Sequence, residues 1–191
     1  MRSQSSSFAW IAAVGFLVSR SAGAHVLNAE DGLLAGLAHP FLGIDHLLAM
    51  LAVGFWAAQT GGRALWAVPL TFMTTLAAGA WLGVSGVPLP AVEAGIAASV
   101  LALGLLVAFA IRLPLAVGMA LTSVFALFHG HAHGTELPAM VAPLGYGAGF
   151  LLATAALHGS GLLAAVALNE RRLRLAGACV ALGGAFIVSG L

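Results

Sequence analysis

The chain has 191 residues, of which 61% are hydrophobic and only 7% charged, and its formal net charge is +1. Soluble domains carry about a quarter charged residues, so this composition excludes a water-soluble fold. No lysine, phosphate-binding loop or G-x-G-x-x-G fingerprint occurs in the sequence, which argues against a nucleic-acid partner, an ATP-driven pump and a dinucleotide-dependent enzyme.

The N-terminus has the layout of a signal peptide. Arg2 begins a short polar region, an apolar stretch runs from Phe8 to Val18, and a pair of small residues spaced for signal peptidase ends at Ala24. We predict that residues 1–24 are a signal peptide cleaved before His25; an uncleaved first helix is the alternative. Either version places His25 outside the cytoplasm, and cleavage would give it a free amine beside its imidazole, a chelating pair.

Six apolar segments follow, each close to the roughly 20 residues that a helix needs to cross a bilayer. They are predicted at residues 36–58, 64–84, 91–111, 113–133, 141–168 and 173–190, with glycine- and proline-containing turns at the breaks. Nothing resembles a linker, so residues 25–191 are predicted to form one membrane-embedded domain. The predicted fold class is all-α: a polytopic membrane protein with a six-transmembrane-helix bundle after the signal peptide.

The arginines provide an independent test of this topology, because cytoplasmic loops are enriched in basic residues. If the mature chain starts outside, the loops after spans one, three and five face the cytoplasm. Every arginine of the mature chain falls in these loops: Arg63, Arg112, Arg171, Arg172 and Arg174. The predicted outer loops hold the acidic residues Glu30, Asp31, Glu93 and Glu136. We therefore predict a multi-pass inner-membrane protein with both mature termini in the periplasm.

The first span carries ionisable residues in the segment AHPFLGIDHLLAM, residues 38–50. Ionisable groups at membrane depth are costly and by default mark a functional site. In one geometry His39 caps a helix that starts at Pro40, and residues 33–38 form a short re-entrant or interfacial piece. In the other, the helix is continuous and His39 and His46 share one stripe. Both geometries allow His39, Asp45 and His46 to converge.

The fourth span ends with a second polar segment, FALFHGHAHGTELP, residues 125–138. His129 and His133 are four residues apart and share a helix face, and Glu136 follows seven residues after His129. His131 points nearly opposite unless the helix unwinds at its flanking glycines. Because neighbouring spans alternate in direction, the start of span one and the end of span four lie at the same outer depth. The two segments can therefore face one site.

Imidazole nitrogens and carboxylate oxygens without a thiolate suit borderline divalent ions such as Ni²⁺, Zn²⁺, Co²⁺, Cu²⁺ or Fe²⁺ and argue against Cu⁺. A single membrane histidine is most simply explained as a hydrogen-bonding partner between helices, but the clustering favours a metal site. Glu93, in the first turn of span three, is a further candidate, although the helix dipole alone favours a carboxylate there. His158 either lies on an inward path or hydrogen-bonds Ser160. The lone Cys179 is interpreted as a packing residue.

At the two polar segments the sequence resembles the HupE/UreJ family of nickel, or nickel/cobalt, permeases found with bacterial hydrogenase and urease systems. The resemblance rests on HPFLGIDH and FHGHAHGTE and extends over the signal peptide and the six spans. It implies Ni²⁺ uptake across the inner membrane of a Gram-negative bacterium, a functional link to hydrogenase or urease maturation, and no permanently bound cofactor. By the family's motifs, the functional positions are His39, Asp45, His46, His129, His133 and Glu136.

Three functions fit these residues. A permease would capture the cation outside and move it inward past His158, driven by the membrane potential or by proton antiport. An intramembrane zinc-dependent hydrolase would use Glu136 or Asp45 as base beside one tightly held ion and a substrate-shaped cavity. A metal sensor or a subunit of a larger complex would bind the ion without flux. The sequence leaves open whether Ni²⁺, Co²⁺ or Zn²⁺ is the physiological ion and whether the chain forms a homo-oligomer.

Overall fold

The computed structural model describes residues 32–138 and 141–190; the predicted signal peptide and His25 lie outside these residues. The described part is entirely helical, as predicted. A short helix α1 (Gly32–Ala38) and a 3₁₀ turn (His39–Phe41) are followed by longer helices: α2 (Ile44–Thr60), α3 (Ala64–Val84), α4 (Val92–Ala108), α5 (Leu115–Thr135), α6 (Pro143–Ala167) and α7 (Glu170–Ser189).

Four of these helices, α3, α5, α6 and α7, are long and apolar enough to cross a membrane. Helices α1 and α2 are together also long and apolar enough to cross a membrane as one bent span, which would give five candidate spans among the described residues. Helix α4 is apolar but has only 17 residues, about 26 Å at 1.5 Å per residue. The architecture is that of an integral membrane protein. The six apolar segments coincide with these elements, whereas six crossings remain a prediction.

The first predicted span, residues 36–58, is not one straight helix. The segments Gly32–Phe41 and Ile44–Thr60 meet at an angle of 80°. Gly43 is extended there, with φ −99° and ψ 117°, and immediately precedes α2. The continuous-helix geometry is therefore wrong, and the alternative geometry starts the helix four residues too early, because Pro40 lies in the 3₁₀ turn. The expected short piece before the span is helix α1.

Helix α2 lies at the centre of the bundle, where it packs against α3, α4, α6 and α7. Around it, α3 packs along α5, α4 packs along α7, and α1 packs along α6. Large buried side chains from several helices fill the space between them, among them Trp56, Phe72, Leu76, Leu103 and Phe150. Because α1 and α2 both pack against α6, the bend between them is held from one side by a single long helix.

Helices α3 and α5 approach each other through glycines. A Cβ atom on Gly130 would come within 2.9 Å of the Ala80 backbone nitrogen, and one on Gly83 within 2.9 Å of that of Thr135. Small residues at membrane helix interfaces let backbones pack this closely. The glycines flanking His131 therefore serve packing, and α5 continues through them to Thr135 without unwinding. His131 consequently keeps the orientation away from His129 and His133.

The arginines of the described residues occupy the end of the bundle opposite to the start of α2. Arg63 follows the last turn of α2, and Arg112 lies between α4 and α5. The start of α7 lies at the same end of the bundle, because Arg174 Nε donates to the carbonyl oxygen of Ala108, the last residue of α4, at 2.8 Å. The bundle thus has one arginine-rich end, as the topology prediction requires, and its orientation in the membrane remains a prediction.

We expect Gly130→Ala to lower the melting temperature of the purified protein, because the added methyl group must push α3 and α5 apart. Overpacking of this kind costs about 1–3 kcal/mol. The matched control is Gly159→Ala in α6, where a Cβ atom would meet nothing within 4 Å. The control should melt at the wild-type temperature or slightly above it, since alanine favours helix over glycine. Equal melting temperatures of the two variants in detergent would contradict the close packing of α3 against α5.

Candidate metal centre

Asp45 and His46 lie in the first turn of α2, directly after the bend. The backbone N–H of His46 donates to Asp45 Oδ1 at 2.7 Å, and the ring atom Nδ1 lies 2.8 Å from the same oxygen. An ionised carboxylate only accepts hydrogen bonds, so Nδ1 carries the proton. The lone pair is then on Nε2, which is buried and has no hydrogen-bond partner among the described residues. Asp45 therefore fixes the tautomer and orientation of the His46 ring, as carboxylates commonly do behind metal-bound histidines.

Gly43 makes room for this pair. A Cβ atom at this position would lie 2.8 Å from Asp45 Oδ1 and 3.1 Å from His46 Nδ1. The glycine is thus required by the close approach of the two side chains that follow it.

His129 is fully buried on α5 and hydrogen-bonds Ser99 of α4, a residue that the sequence analysis missed. Ser99 Oγ lies 2.6 Å from the Ile96 carbonyl oxygen and 2.7 Å from His129 Nε2. The hydroxyl has one proton and the carbonyl can only accept, so Ser99 donates to Ile96 and His129 Nε2–H donates to Ser99. This leaves His129 Nδ1 with a free lone pair and no partner in the described structure. The signal that could have found Ser99 is that it bears the only hydroxyl in α4.

Four imidazole rings from the two polar segments lie in contact. The ring of His46 has centroid distances of 4.6 Å to His129 and 4.2 Å to His133. On the other side, the rings of His133 and His39 are 4.7 Å apart. The structure therefore brings together the histidines of both segments, with His133 at the centre, although their role as metal ligands remains a prediction.

Glu136 closes the cluster at its exposed end. Its Oε2 lies 3.6 Å from His39 Nε2, and its side chain is 54% exposed. His39, His133 and Glu136 each offer one ligand atom, and these three atoms lie within 4.8 Å of one another. Partial burial raises the pKa of the Glu136 carboxyl, and the negative charge of Glu93 acts in the same direction. Glu136 is thus the most exposed member of the cluster.

Two aromatic residues of α6, which the sequence analysis also missed, form the wall behind these rings. The Phe150 ring is 3.9 Å from that of His133, and the Tyr146 ring is 5.7 Å from that of His39. Both side chains are buried. They hold His39 and His133 against α6, so the cluster combines groups from the 3₁₀ turn, α2, α5 and α6.

The further candidates lie outside this cluster. His131 Nε2 donates to the Val87 carbonyl oxygen at 2.8 Å, in the connection between α3 and α4. Glu93 is exposed in the first turn of α4 and acts on Glu136 only through its charge. His158 is buried deeper on α6, where its ring contacts Phe72 at 5.2 Å. His25 lies outside the described residues.

The cluster leaves several buried ring nitrogens without hydrogen-bond partners. His46 Nε2, His129 Nδ1 and both ring nitrogens of His133 have no hydrogen-bond partner within residues 32–138 and 141–190. An unpaired buried polar group costs about 1–3 kcal/mol, so folding alone does not favour this arrangement. Buried imidazole nitrogens left unpaired at this cost suit a site that receives a borderline metal ion.

Ser99→Ala should lower the affinity for Ni²⁺ by about 10–100-fold, because His129 loses the group that fixes its proton on Nε2. Ser123→Ala is the matched control, since Ser123 accepts a hydrogen bond from Thr75 at the α3–α5 contact, away from the rings. Isothermal titration calorimetry in detergent measures both. Wild-type affinity in Ser99→Ala would show that Ser99 does not orient a metal ligand.

Comparison with known proteins supports the resemblance seen in the two polar segments. A family model described as HupE / UreJ protein matches residues 12–187. The curated Protein HupE of Rhizobium leguminosarum bv. viciae is 50% identical over 171 residues, which cover 87% of this chain and 90% of the relative. No solved structure matches the chain. The family model and this relative each cover most of the sequence, and the chain therefore belongs to the HupE/UreJ family.

Proposed function

We propose that the protein is a permease that carries a divalent transition-metal cation, Ni²⁺ or alternatively Co²⁺, into the cytoplasm and so supplies hydrogenase or urease. The observation that carries this proposal is the contact of four imidazole rings that leads from half-exposed Glu136 to fully buried His129. Membership of the HupE/UreJ family supports it. The proposal includes the bacterial inner membrane, six crossings, a cleaved segment 1–24 and periplasmic mature termini.

Within this proposal the side chains have different tasks. His39 and Glu136, at the accessible end, capture the ion together with His133. His46 and His129 receive it deeper, each through the one ring nitrogen that its own hydrogen bond leaves free. Asp45 is predicted from the sequence as a ligand. We propose that it also orients His46, because its Oδ1 accepts two hydrogen bonds from that residue.

The space beside the cluster suits a small ion. A cavity of about 60 Å³ reaches His133 and is also lined by Tyr146 and Phe150. Liquid water occupies about 30 Å³ per molecule, so this cavity has room for a partly hydrated ion. Weak, incomplete coordination also favours release, which a transporter needs.

The membrane potential is sufficient to drive uptake. It contributes about 2.3 kcal/mol per charge at 100 mV, hence about 4.6 kcal/mol for a divalent cation. The sequence has no phosphate-binding loop, so we propose uptake driven by this potential or by proton antiport.

Proteoliposomes that hold the full-length protein should take up radioactive Ni²⁺ with saturable kinetics. Asp45→Asn and His46→Ala should reduce uptake about 10–100-fold, because the first misorients His46 and the second removes a ligand. His131→Gln is the control, since glutamine keeps a donor for the Val87 carbonyl and His131 lies outside the cluster. Absence of flux in the wild type, with one Zn²⁺ retained through purification, would refute the permease and favour the hydrolase.

Competition should follow the ligand chemistry. Excess Co²⁺ or Zn²⁺ should inhibit Ni²⁺ uptake, whereas Mg²⁺ and Ca²⁺ should not, because imidazole nitrogen suits borderline ions and hard cations prefer oxygen. The same proteoliposome assay measures the inhibition of Ni²⁺ uptake by each cation. Inhibition by Mg²⁺ as strong as that by Co²⁺ would mean that the carboxylates, rather than the imidazoles, select the ion.

A further inference from the structure

Helix α6 carries a buried stripe that continues inward from the metal centre. Its four side chains follow at intervals of four residues, so each lies one turn below the last. All are at most 4% exposed: Tyr146, Phe150, Thr154 and His158. The first two form the wall behind the histidine cluster. The stripe therefore leads from the accessible cluster into the core of the bundle.

The two inner members of the stripe carry polar atoms without partners. His158 is 1% exposed, and neither of its ring nitrogens has a hydrogen-bond partner in the described part of the chain. The hydroxyl of Thr154, one turn earlier, is also buried and unpartnered. Ser160 is not the partner of His158, because its hydroxyl donates to the Ala156 carbonyl oxygen at 2.8 Å on the exposed face. Packing alone would favour an apolar side chain at position 158.

His158 is also adjacent to the deep end of the cluster. Phe72 of α3 contacts both histidines, with ring centroid distances of 6.0 Å to His129 and 5.2 Å to His158. His158 lies about 22 Å along α6 from its Pro143 end at helical rise, and thus toward the arginine-rich end of the bundle. One phenyl ring therefore separates the buried end of the cluster from the next available imidazole.

We propose that His158, together with the Thr154 hydroxyl, forms a second and inner binding station for the transported cation. This inference rests on the proposed permease function. The imidazole supplies one borderline nitrogen ligand and the hydroxyl one weak oxygen ligand. A station with so few protein ligands holds the ion more weakly than the outer cluster does. An ion that passes Phe72 would thus bind briefly and leave toward the cytoplasm.

The first test separates binding from transport. In His158→Leu, the outer cluster should bind Ni²⁺ in detergent with wild-type affinity, whereas Ni²⁺ uptake into proteoliposomes should fall about tenfold or more. Ser160→Ala, on the exposed face of the same helix, is the matched control and should leave both quantities unchanged. Thr154→Val should reduce uptake to a smaller extent, since it removes only the weaker ligand.

A second variant tests whether position 158 meets the ion. His158→Cys, made in a Cys179→Ser background so that no other thiol is present, places a soft ligand at the station. Thiolates prefer soft ions. Cd²⁺ should then block Ni²⁺ uptake at concentrations that leave the Cys179→Ser parent active. If His158 only supports the fold, Cd²⁺ should inhibit the variant and the parent equally. This assay tests the inner station even where His158→Leu does not fold.

The remaining outcomes are distinct. Wild-type uptake in His158→Leu would overturn the inner station and leave the permease standing. Loss of Ni²⁺ binding together with uptake in a folded His158→Leu would also overturn it, because His158 would then support the outer cluster. Binding without any flux in the wild type would refute the proposed function itself, and the inner station with it.

Discussion

The bend before α2 is the constraint on which the candidate metal centre depends. It turns the chain by 80°, so His39 and His46 approach His133 from different sides. On a continuous helix the two residues would follow one another along a single stripe. The bend is possible because Gly43 adopts an extended conformation and leaves space for Asp45 and His46. It is held in place because α1 and α2 both pack against α6.

The hydrogen bonds of the cluster determine which nitrogen atoms are available. Asp45 accepts from His46 Nδ1, and Ser99 accepts from His129 Nε2, so each ring keeps one lone pair. In the proposed site, Asp45 and Ser99 influence ion binding through the histidine rings that they orient. Such orienting groups fix the tautomer and the ring position, and this explains why a carboxylate and a hydroxyl accompany the histidines in an apolar bundle.

The polar groups of the bundle form a series from its exposed end inward rather than a single cage. Glu136 and His39 are partly exposed, the rings of His133, His46 and His129 are buried, and His158 with Thr154 lies beyond Phe72. A closed cage of protein ligands would hold a metal ion tightly, whereas a series of incomplete sites allows transfer between them. In the proposed permease, such an arrangement favours passage of the ion over its storage.

The sequence alone determined the helical class, the approximate helix boundaries and the two polar segments, because these depend on local composition and on spacing within one helix. The predicted segment 64–84 coincides with α3, and His129 with His133 share a face as their spacing requires. Only the tertiary structure decided the bend at Gly43, the pairing of Ser99 with His129 and the stripe on α6. These features depend on contacts between distant parts of the chain or on which side of a helix is covered, and local periodicity carries no information about either.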